Sequence, residues 1–495
     1  ELGNPKFIRY GVNVIEDCSA SGTSFPVLFE NHPSYANLFG NIDVRMEGGG
    51  ESRTSFMMIQ AGSLIKASGG FLIINTADLF REQDSYEHLK RALLSGKVEI
   101  QHQQGPYSCP GSLVKPEPIE IDVKVILIGE PGTYDELYAQ DSDFQKLFKV
   151  HAEFSDVMGR TEDAMVQYVR LIHEFVREND FRQMEDSGTA AVLEYGVRLA
   201  EDKEKLSTRF SRISDCIREA NYRAGEDGKS AIDRGSVRKA LDVQEYLSGS
   251  MEERIDEMIF RGEVLVRLTG EETGRVNCLA MYDRGYYAFS RPAVISARVS
   301  PGERGVVTVE REAGLSGLSL ESFIRSTYTG AVPLSIYASI CFEQSFGEVD
   351  GGFAFSASSS EVYTLLSALS ELPLRQDIAV TGSVNQLGHI QPVGKITEKV
   401  TGFFQTCKRL GLTGEQGVII PKRNVRNLIL PQDVYEAVED GSFRIYPVET
   451  INDGIAILTG REAGSRKGGN FPDGSVNWLV EERLKKMSEQ VRRFI

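Results

Sequence analysis

The chain has 495 residues, 41% of them hydrophobic and 25% charged, which is typical of soluble globular proteins and enough for about three domains. Its formal net charge is −16 and no dense Lys/Arg run appears, so nucleic acid is not expected as the main partner. No apolar run is long enough for a membrane span and the first residues lack a signal-peptide core, so we expect a cytoplasmic protein.

Six cysteines are scattered singly, without a CxxC pair or a neighbouring His at metal-ligand spacing. We therefore expect reduced thiols, and neither a metal site nor a cofactor is predicted. The chain begins with Glu1 rather than Met, as expected of a fragment of a longer protein.

Residues 1–157 are predicted to form a mixed α/β domain. Strand-like runs lie at 6–15, at 69–80 ("GGFLIINTADLF") and at 119–132, and an amphipathic helix lies at 88–96. Buried strands that alternate with helices favour a mostly parallel sheet.

Residues 158–254 are predicted to form a small helical domain. Apolar residues recur there at three-to-four spacing, with Gly or polar breaks between helices. The last helix is predicted to be long and to run through 233–262.

Residues 255–495 return to an α/β pattern. Strands are predicted at 305–312, 377–384, 417–421 and 443–448, and helices at 360–372 and 396–412. A Gly-rich linker, 464–475, is followed by a terminal amphipathic helix, 476–495.

The stretch "GGFAFSASSSE" (351–361) places several serines before a helix. Ser358 and Glu361 fit a capping box, and an apolar stripe of Val362, Leu365, Leu366 and Leu369 follows. Ser356 precedes the helix, where free amides and the helix dipole would suit a developing oxyanion. The alternative is a serine that only caps the helix.

A nucleophilic serine needs a base, and two candidates remain open. His389 is the only histidine of the C-terminal α/β region, but no G-x-S-x-G elbow accompanies Ser356. Lys399 lies at the edge of the apolar face of its predicted helix, where partial desolvation favours the neutral form. The alternative for Lys399 is a stem along apolar surface with its ammonium in water.

The run "SASSSEVYTLLSALSELPLRQDIAVTGSVNQLGHIQPVGKITEKVTGFF" resembles the proteolytic domain of Lon proteases, in particular their Lon-like branch. The resemblance covers about residues 255–495. It implies a histidine-free dyad, with Ser356 as nucleophile and Lys399, 43 residues later, as general base. Thr381 matches the family's threonine near the lysine.

The upstream runs "VLFENHPSYANLFGNID" and "VILIGEPGTYDELYAQDSDFQKLF" resemble the later half of an AAA+ module, and the helical region resembles its lid. "LSTRFSRI" fits the sensor-2 segment, with Arg209 or Arg212 as its arginine. The resemblance implies a multidomain α/β chain with a truncated AAA+-like domain, a lid and a Lon-type proteolytic domain. No G-x-x-x-x-G-K-[ST] occurs, and Asn75 and Thr76 replace the Walker B acids, so we expect no ATP hydrolysis.

Three departures concern the proteolytic site. Phe355 stands where the family has Asp before the serine, and "GFAF" reads as an insertion after Asp350. Either Asp350 or Glu343 replaces that Asp, or the insertion plugs the site. Lys395 replaces the family's second glycine; it either lowers the pKa of Lys399 by repulsion or faces solvent.

The sequence thus predicts an ATP-independent serine endopeptidase for unfolded polypeptides, and the family implies a hexameric ring. Phe353 and Phe355 either contact the substrate or pack the loop. One alternative is a pseudoprotease that binds unfolded chains. Another is an ATP-dependent protease whose P-loop lies upstream of residue 1.

Overall fold

The computed structural model describes residues 11–16, 25–43, 45–46, 52–82, 84–101, 115–285, 287–302, 305–308, 318–328, 335–342, 358–466 and 468–494. The chain divides into two compact units, residues 1–154 and 155–495. The second unit contains both the helical region and the proteolytic region, so their predicted boundary at 254/255 stays a prediction.

The first unit combines short strands and helices. Its strands are β1 (Val27–Glu30), β2 (Gly40–Ile42), β3 (Arg45–Met46), β4 (Ser52–Arg53), β5 (Ile59–Ala61), β6 (Phe71–Asn75), β7 (Lys97–Val98), β8 (Ile119–Glu120) and β9 (Lys124–Ile128). Its helices are α1 (Tyr35–Phe39), α2 (Ser63–Lys66), α3 (Thr76–Arg81), α4 (Ser85–Ser95), α5 (Pro131–Gln140) and α6 (Ser142–Leu147).

Strands β1, β6 and β9 form a parallel sheet with β6 in the middle. Leu72 and Ile74 of β6 are fully buried in the core of this unit. The apolar side chains that alternate with the inward-facing ones are exposed at the two edge strands, namely Val27, Phe29, Ile126 and Ile128. One face of this sheet is therefore an apolar surface.

The strand predicted at 6–15 lies partly outside the described residues, and its described part, 11–15, is not a strand. The side-chain amide of Asn13 donates to the carbonyl oxygens of Phe56 and Ile59, at 2.9 and 3.0 Å. This segment is thus held by side-chain bonds instead of a strand ladder.

The second unit begins with a run of helices, and all but the last of them pack around one apolar core. The helices are α7 (Glu162–Glu178), α8 (Asp186–Ala200), α9 (Phe210–Glu226), α10 (Arg234–Ser248) and α11 (Ser250–Phe260), and the strands between them are β10 (Val157–Gly159), β11 (Gln183–Met184), β12 (Lys205–Ser207) and β13 (Ala231–Ile232). The single long helix predicted over 233–262 is wrong, because the helix breaks at Gly249. Glycine is a poor helix former, and here it ends α10 and precedes α11.

The rest of the second unit is built on a mixed sheet. Its strands are β14 (Glu271–Thr273), β15 (Arg275–Asp283), β16 (Ala288–Pro301), β17 (Gly305–Thr308), β18 (Ile336–Phe342), β19 (Pro373–Arg375), β20 (Ile378–Val380), β21 (Ser383–Val384), β22 (Ile390–Gln391), β23 (Gly417–Pro421) and β24 (Arg444–Val448). Its helices are α12 (Leu318–Tyr328), α13 (Ser358–Ser370), α14 (Ile396–Leu410), α15 (Gln432–Glu439), α16 (Ile451–Thr459) and α17 (Val476–Phe494).

Among the described residues the large sheet has the strand order β17-β18-β16-β15-β20-β23-β24. One core lies between this sheet and α13, α16 and α17, and another lies on its α14 side. The predicted apolar stripe of α13 is confirmed, since its four residues are 0–1% exposed. Terminal helix α17 is also confirmed, and it packs into the same core as α13.

Candidate active site

Lys399 is buried in the first turns of α14. The apolar residues Ile396, Val400 and Phe403 pack this helix against the sheet, and Lys399 itself is only 2% exposed. Burial lowers the pKa of Lys399 to about 8, against the opposing influence of Glu398 and Cys278. A lysine with this pKa is about half neutral at pH 8, so it can accept a proton under mild conditions.

A glycine lets α14 approach the sheet closely. A Cβ atom at Gly402 would lie 1.9 Å from the carbonyl oxygen of Ser290 in β16. No side chain fits there without moving the helix away from the strand. Gly402 therefore fixes the depth at which α14, and Lys399 with it, sits on the sheet.

The loop after β20 is joined to the start of α13 by hydrogen bonds. Ser359 donates to the carbonyl oxygen of Gly382 from both its amide, at 3.2 Å, and its hydroxyl, at 2.7 Å. The hydroxyl of Ser358 accepts a bond from the amide of Val384 at 3.0 Å. Ser358 was predicted as the cap of α13, but it is already inside the helix and its hydroxyl serves this loop.

Thr381 lies in that loop and is 2% exposed; its amide donates to the carbonyl oxygen of Ile419 at 3.1 Å. Val380, the preceding residue, is the register partner of Cys278 in β15. Cys278 also tends to raise the pKa of Lys399, so β15 connects the strand before Thr381 with the surroundings of Lys399.

The other predicted site residues are Ser356, Asp350, Glu343, Phe353 and Phe355, and they lie outside the described residues. Their roles stay predictions, as do those of Lys399 and Thr381. His389 is exposed in the hairpin of β21 and β22.

The structure gives Lys395 a different role from the two predicted. Its side chain is 33% exposed, and its ammonium forms an ion pair with Glu201 at the end of α8. The groups that shift the pKa of Lys399 do not include it. Burial tends to lower the pKa of Lys395, but the bond to Glu201 outweighs it and raises that pKa.

Three family models match the chain in sequence order. Residues 23–155 match the LonB-like AAA domain, residues 183–246 the lid domain of the archaeal LonB AAA+ ATPase, and residues 351–459 the C-terminal proteolytic domain of Lon protease (S16). The chain thus matches, in order, three domains of the Lon-like proteases. Its fold is accordingly an AAA-like domain, a lid and a Lon proteolytic domain.

Named relatives agree with these matches. The chain is 29% identical to a Lon protease homolog of Escherichia coli, over 81% of this chain and 68% of the relative. A homolog of Haemophilus influenzae is also 29% identical, over 92% of this chain and 75% of the relative. The archaeal Lon protease of Archaeoglobus fulgidus is 25% identical, over 84% and 65%.

The carboxyl edge of the Lon AAA-like sheet uses its polar residues for local bonds. Asn75 accepts a bond from the amide of Ala77 at 2.9 Å and caps α3. The hydroxyl of Thr76 donates to the carbonyl oxygen of Ile128 at 3.0 Å. At the end of β1, the Glu30 carboxylate accepts bonds from the Ser63 hydroxyl and the His32 amide.

The two arginines predicted as sensor-2 candidates lie in the lid. Arg209 pairs with Asp156 at 2.6 Å. Arg212 lies on α9, and both arginines line a cleft of about 890 Å³ that also includes residues of α10 and α14. Their assignment as a sensor stays a prediction.

Within the described ranges no cluster of His, Cys, Asp and Glu side chains could hold a metal ion, and no helix is long and apolar enough to cross a bilayer. Among the described residues, Cys216, Cys278, Cys341 and Cys407 form no disulfide with one another. Sequence reasoning missed Glu201 and Glu398. Glu398 could have been found because it is next to Lys399 in the sequence. Nothing in the sequence indicates that Glu201 pairs with Lys395, which is 194 residues away.

Proposed function

We propose that this chain is a Lon-like serine endopeptidase that hydrolyses unfolded polypeptides without ATP, with Ser356 as nucleophile and Lys399 as general base. The observation that carries the proposal is the burial of Lys399, which brings its pKa to about 8. Buried ionisable groups with strongly shifted pKa values cluster at catalytic sites.

The neighbouring serines support Ser356 as the nucleophile. Ser358 and Ser359 bond to the loop at 382–384, and the hydroxyl of Ser360 donates to the carbonyl oxygen of Val380 at 3.4 Å. These hydroxyls hold the start of α13 in place. Ser356 precedes Ser358 by two residues, and two residues of extended chain span at most about 7 Å.

The reaction would proceed by acyl transfer. Neutral Lys399 accepts the hydroxyl proton of Ser356 while the oxygen attacks the substrate carbonyl. The amide of Ser356 and other amides at the start of α13 would hold the oxyanion. The amide of Ser359 is not available for this, because it is already bonded to Gly382. Lys399 then gives the proton to the leaving amine, and a water molecule that it activates hydrolyses the acyl-enzyme.

Independence from ATP is supported by the AAA-like sheet. A Walker B carboxylate would hold Mg²⁺ and position water, but Asn75 and Thr76 lie at that place and bond to Ala77 and Ile128. We further propose that six chains form a ring, as family resemblance implies. Without a motor, only unfolded or loosely folded chains would reach the sites.

The test is degradation of fluorescent casein by the whole chain, after apyrase has removed nucleotide. Ser356→Ala is the key variant, and folded green fluorescent protein is the control substrate. We expect casein cleavage by the wild type, none by the variant, and no cleavage of the folded substrate. Added Mg-ATP should leave the rate unchanged.

Each other outcome contradicts a named part of the proposal. Strong stimulation by Mg-ATP would mean an ATP-dependent protease. Equal cleavage by wild type and variant would mean another nucleophile. No cleavage by either, with casein still bound, would favour the pseudoprotease, for which Phe355 in place of the family Asp is the motivating observation.

A further inference from the structure

Two residues with left-handed backbone meet where the lid adjoins the proteolytic residues. Glu201 ends α8 with φ 53°, and Lys395 begins α14 with φ 55°. L-residues adopt this conformation at a cost that glycine avoids. Their side chains form an ion pair with each other. Strained residues persist where surrounding contacts hold them, and they concentrate at functional and switch sites.

Further bonds attach the same lid turn to proteolytic residues. The side-chain amide of Asn427 donates to the carbonyl oxygen of Glu201 at 2.8 Å. The amide of Lys203 donates to the carbonyl oxygen of Arg426 at 3.2 Å. The turn after α8 is therefore fixed both to the segment after β23 and to the start of α14.

Lys395 is directly connected to Lys399 through the backbone. The amide of Lys399 donates to the carbonyl oxygen of Lys395 at 3.1 Å, in the first turn of α14. A change in the backbone angles of Lys395 would therefore move this bond and the turn that carries Lys399.

Other charged groups share this boundary. Lys395 is influenced by Glu398 of its own helix and by Asp283 at the end of β15, and Arg198 of α8 acts on Glu398. One carboxylate oxygen of Glu398 has no hydrogen-bond partner among the described residues. If Glu201 lost its charge, Lys395 could turn to Glu398.

We propose that Glu201 and Lys395 form a latch by which the lid holds Lys399 in its buried position. Both are positioning residues, since they act through the first turn of α14 and not on the substrate. The inference rests on the proposed role of Lys399 as the base. An open latch would let water reach Lys399, and the pKa of Lys399 would then rise from about 8.

The direction in which the pKa of Lys399 shifts distinguishes a positioning role of Glu201 from a direct electrostatic effect of its charge. Glu201→Gln removes a carboxylate, and it leaves Lys395 able to neutralise Glu398. Both electrostatic changes would lower the pKa of Lys399. An upward shift in this variant therefore reports greater access of water to Lys399.

The test measures how fast Lys399 reacts with a small amine-reactive reagent as a function of pH, by mass spectrometry of the whole chain. We expect Glu201→Gln to raise the midpoint by about half a pH unit. Lys395→Gly should also raise it while relieving the left-handed strain, whereas Lys395→Arg, which keeps the pair, should not. The matched control is Glu194→Gln on the same helix, because Glu194 pairs with Arg234 inside the lid.

Casein hydrolysis at pH 7.5 should fall about threefold in Glu201→Gln, as half a pH unit implies. An unchanged or lowered midpoint in Glu201→Gln would overturn the latch, whatever its effect on stability. The labelling needs no hydrolysis, so an inactive wild type would contradict the proposed function while the latch is still tested. If Glu201→Gln does not fold, the contrast between Lys395→Gly and Lys395→Arg decides: equal midpoints overturn the latch.

Discussion

The three-stranded sheet of the first unit and the large sheet of the second unit differ in what surrounds the ends of their parallel strands. In the first unit, Asn75 and Thr76 at the end of β6 are bonded to Ala77 and Ile128. In the second unit, the loop after β20 contains the buried Thr381, and α14 on the same sheet carries Lys399, a buried lysine whose pKa is lowered to about 8. Side chains that cap helices serve the fold, whereas a desolvated lysine is suited to chemistry.

The two sheets also differ in whether both of their faces are covered by other elements. The large sheet has cores on both sides, formed by α13 and its neighbours and by α14. The three-stranded sheet exposes apolar residues such as Val27 and Ile128. Preorganised chemistry requires rigid packing around the reacting groups, and the second unit provides it.

The largest effect should come from removing the base. Lys399→Gln is expected to lower casein hydrolysis about a thousandfold, since the serine then has no general base. Lys408→Gln is the matched control, because Lys408 is an exposed residue of the same helix that pairs with Asp433. Comparable loss in both variants would contradict the role of Lys399.

The burial of Lys399 should lower the stability of the second unit. The pKa of Lys399 in the folded state is lowered from 10.5 to about 8. Below pH 8 the folded protein therefore holds a buried ammonium, which lowers the free energy of unfolding. Lys399→Met should therefore stabilise the second unit at pH 7 by about 3 kcal/mol.

The sign of the pH dependence follows from proton binding. Between pH 8 and 10.5 the unfolded state binds the proton and the folded state does not, so wild-type stability rises with pH and the advantage of the variant disappears. Denaturant unfolding of the wild type and of Lys399→Met at pH 7 and pH 9.5 measures the rise in wild-type stability and the loss of the variant's advantage. A variant advantage that is absent at pH 7 would contradict the burial of a charged group.

The close approach of α14 to the sheet gives a third prediction. Gly402→Ala should destabilise the second unit by about 3 kcal/mol, because its Cβ would lie 1.9 Å from the Ser290 carbonyl oxygen. Gly394→Ala, with nothing within 4 Å of the added Cβ, should have little effect. Thermal unfolding of both variants compares them; equal midpoints would show that α14 does not depend on this contact.

The smallest effect concerns the first unit. Asn75→Ala removes the cap of α3 and should destabilise the first unit by about 1 kcal/mol while casein hydrolysis stays unchanged. Asn75→Asp keeps a capping oxygen and should preserve stability. Loss of hydrolysis in Asn75→Ala with stability intact would contradict a purely structural role for this edge.

Periodicity was sufficient to predict the elements around the site. The apolar stripes of α13 and α14 and the terminal helix α17 follow from residue spacing. Position alone favoured a serine that caps the helix and a lysine whose ammonium stays in water, so it did not predict the burial of Lys399. The prediction of Ser356 and Lys399 as a dyad came from family resemblance.

Contacts between distant segments could not be read from the sequence. The ion pair of Glu201 and Lys395 depends on how the end of one helix meets the start of another. The apolar residues around Asn13 predict a strand, but the segment is instead held by side-chain bonds of Asn13. The break at Gly249 was readable as a glycine inside a helical pattern, but such glycines do not always end a helix.

The most direct measurement is the site of covalent labelling by a fluorophosphonate, mapped by mass spectrometry in the wild type and in Lys399→Gln, without nucleotide. The account predicts one adduct, on Ser356, that forms faster as pH rises through about 8 and is nearly absent in the variant. An adduct on another residue, or equal labelling of both proteins, would contradict the dyad of Ser356 and Lys399.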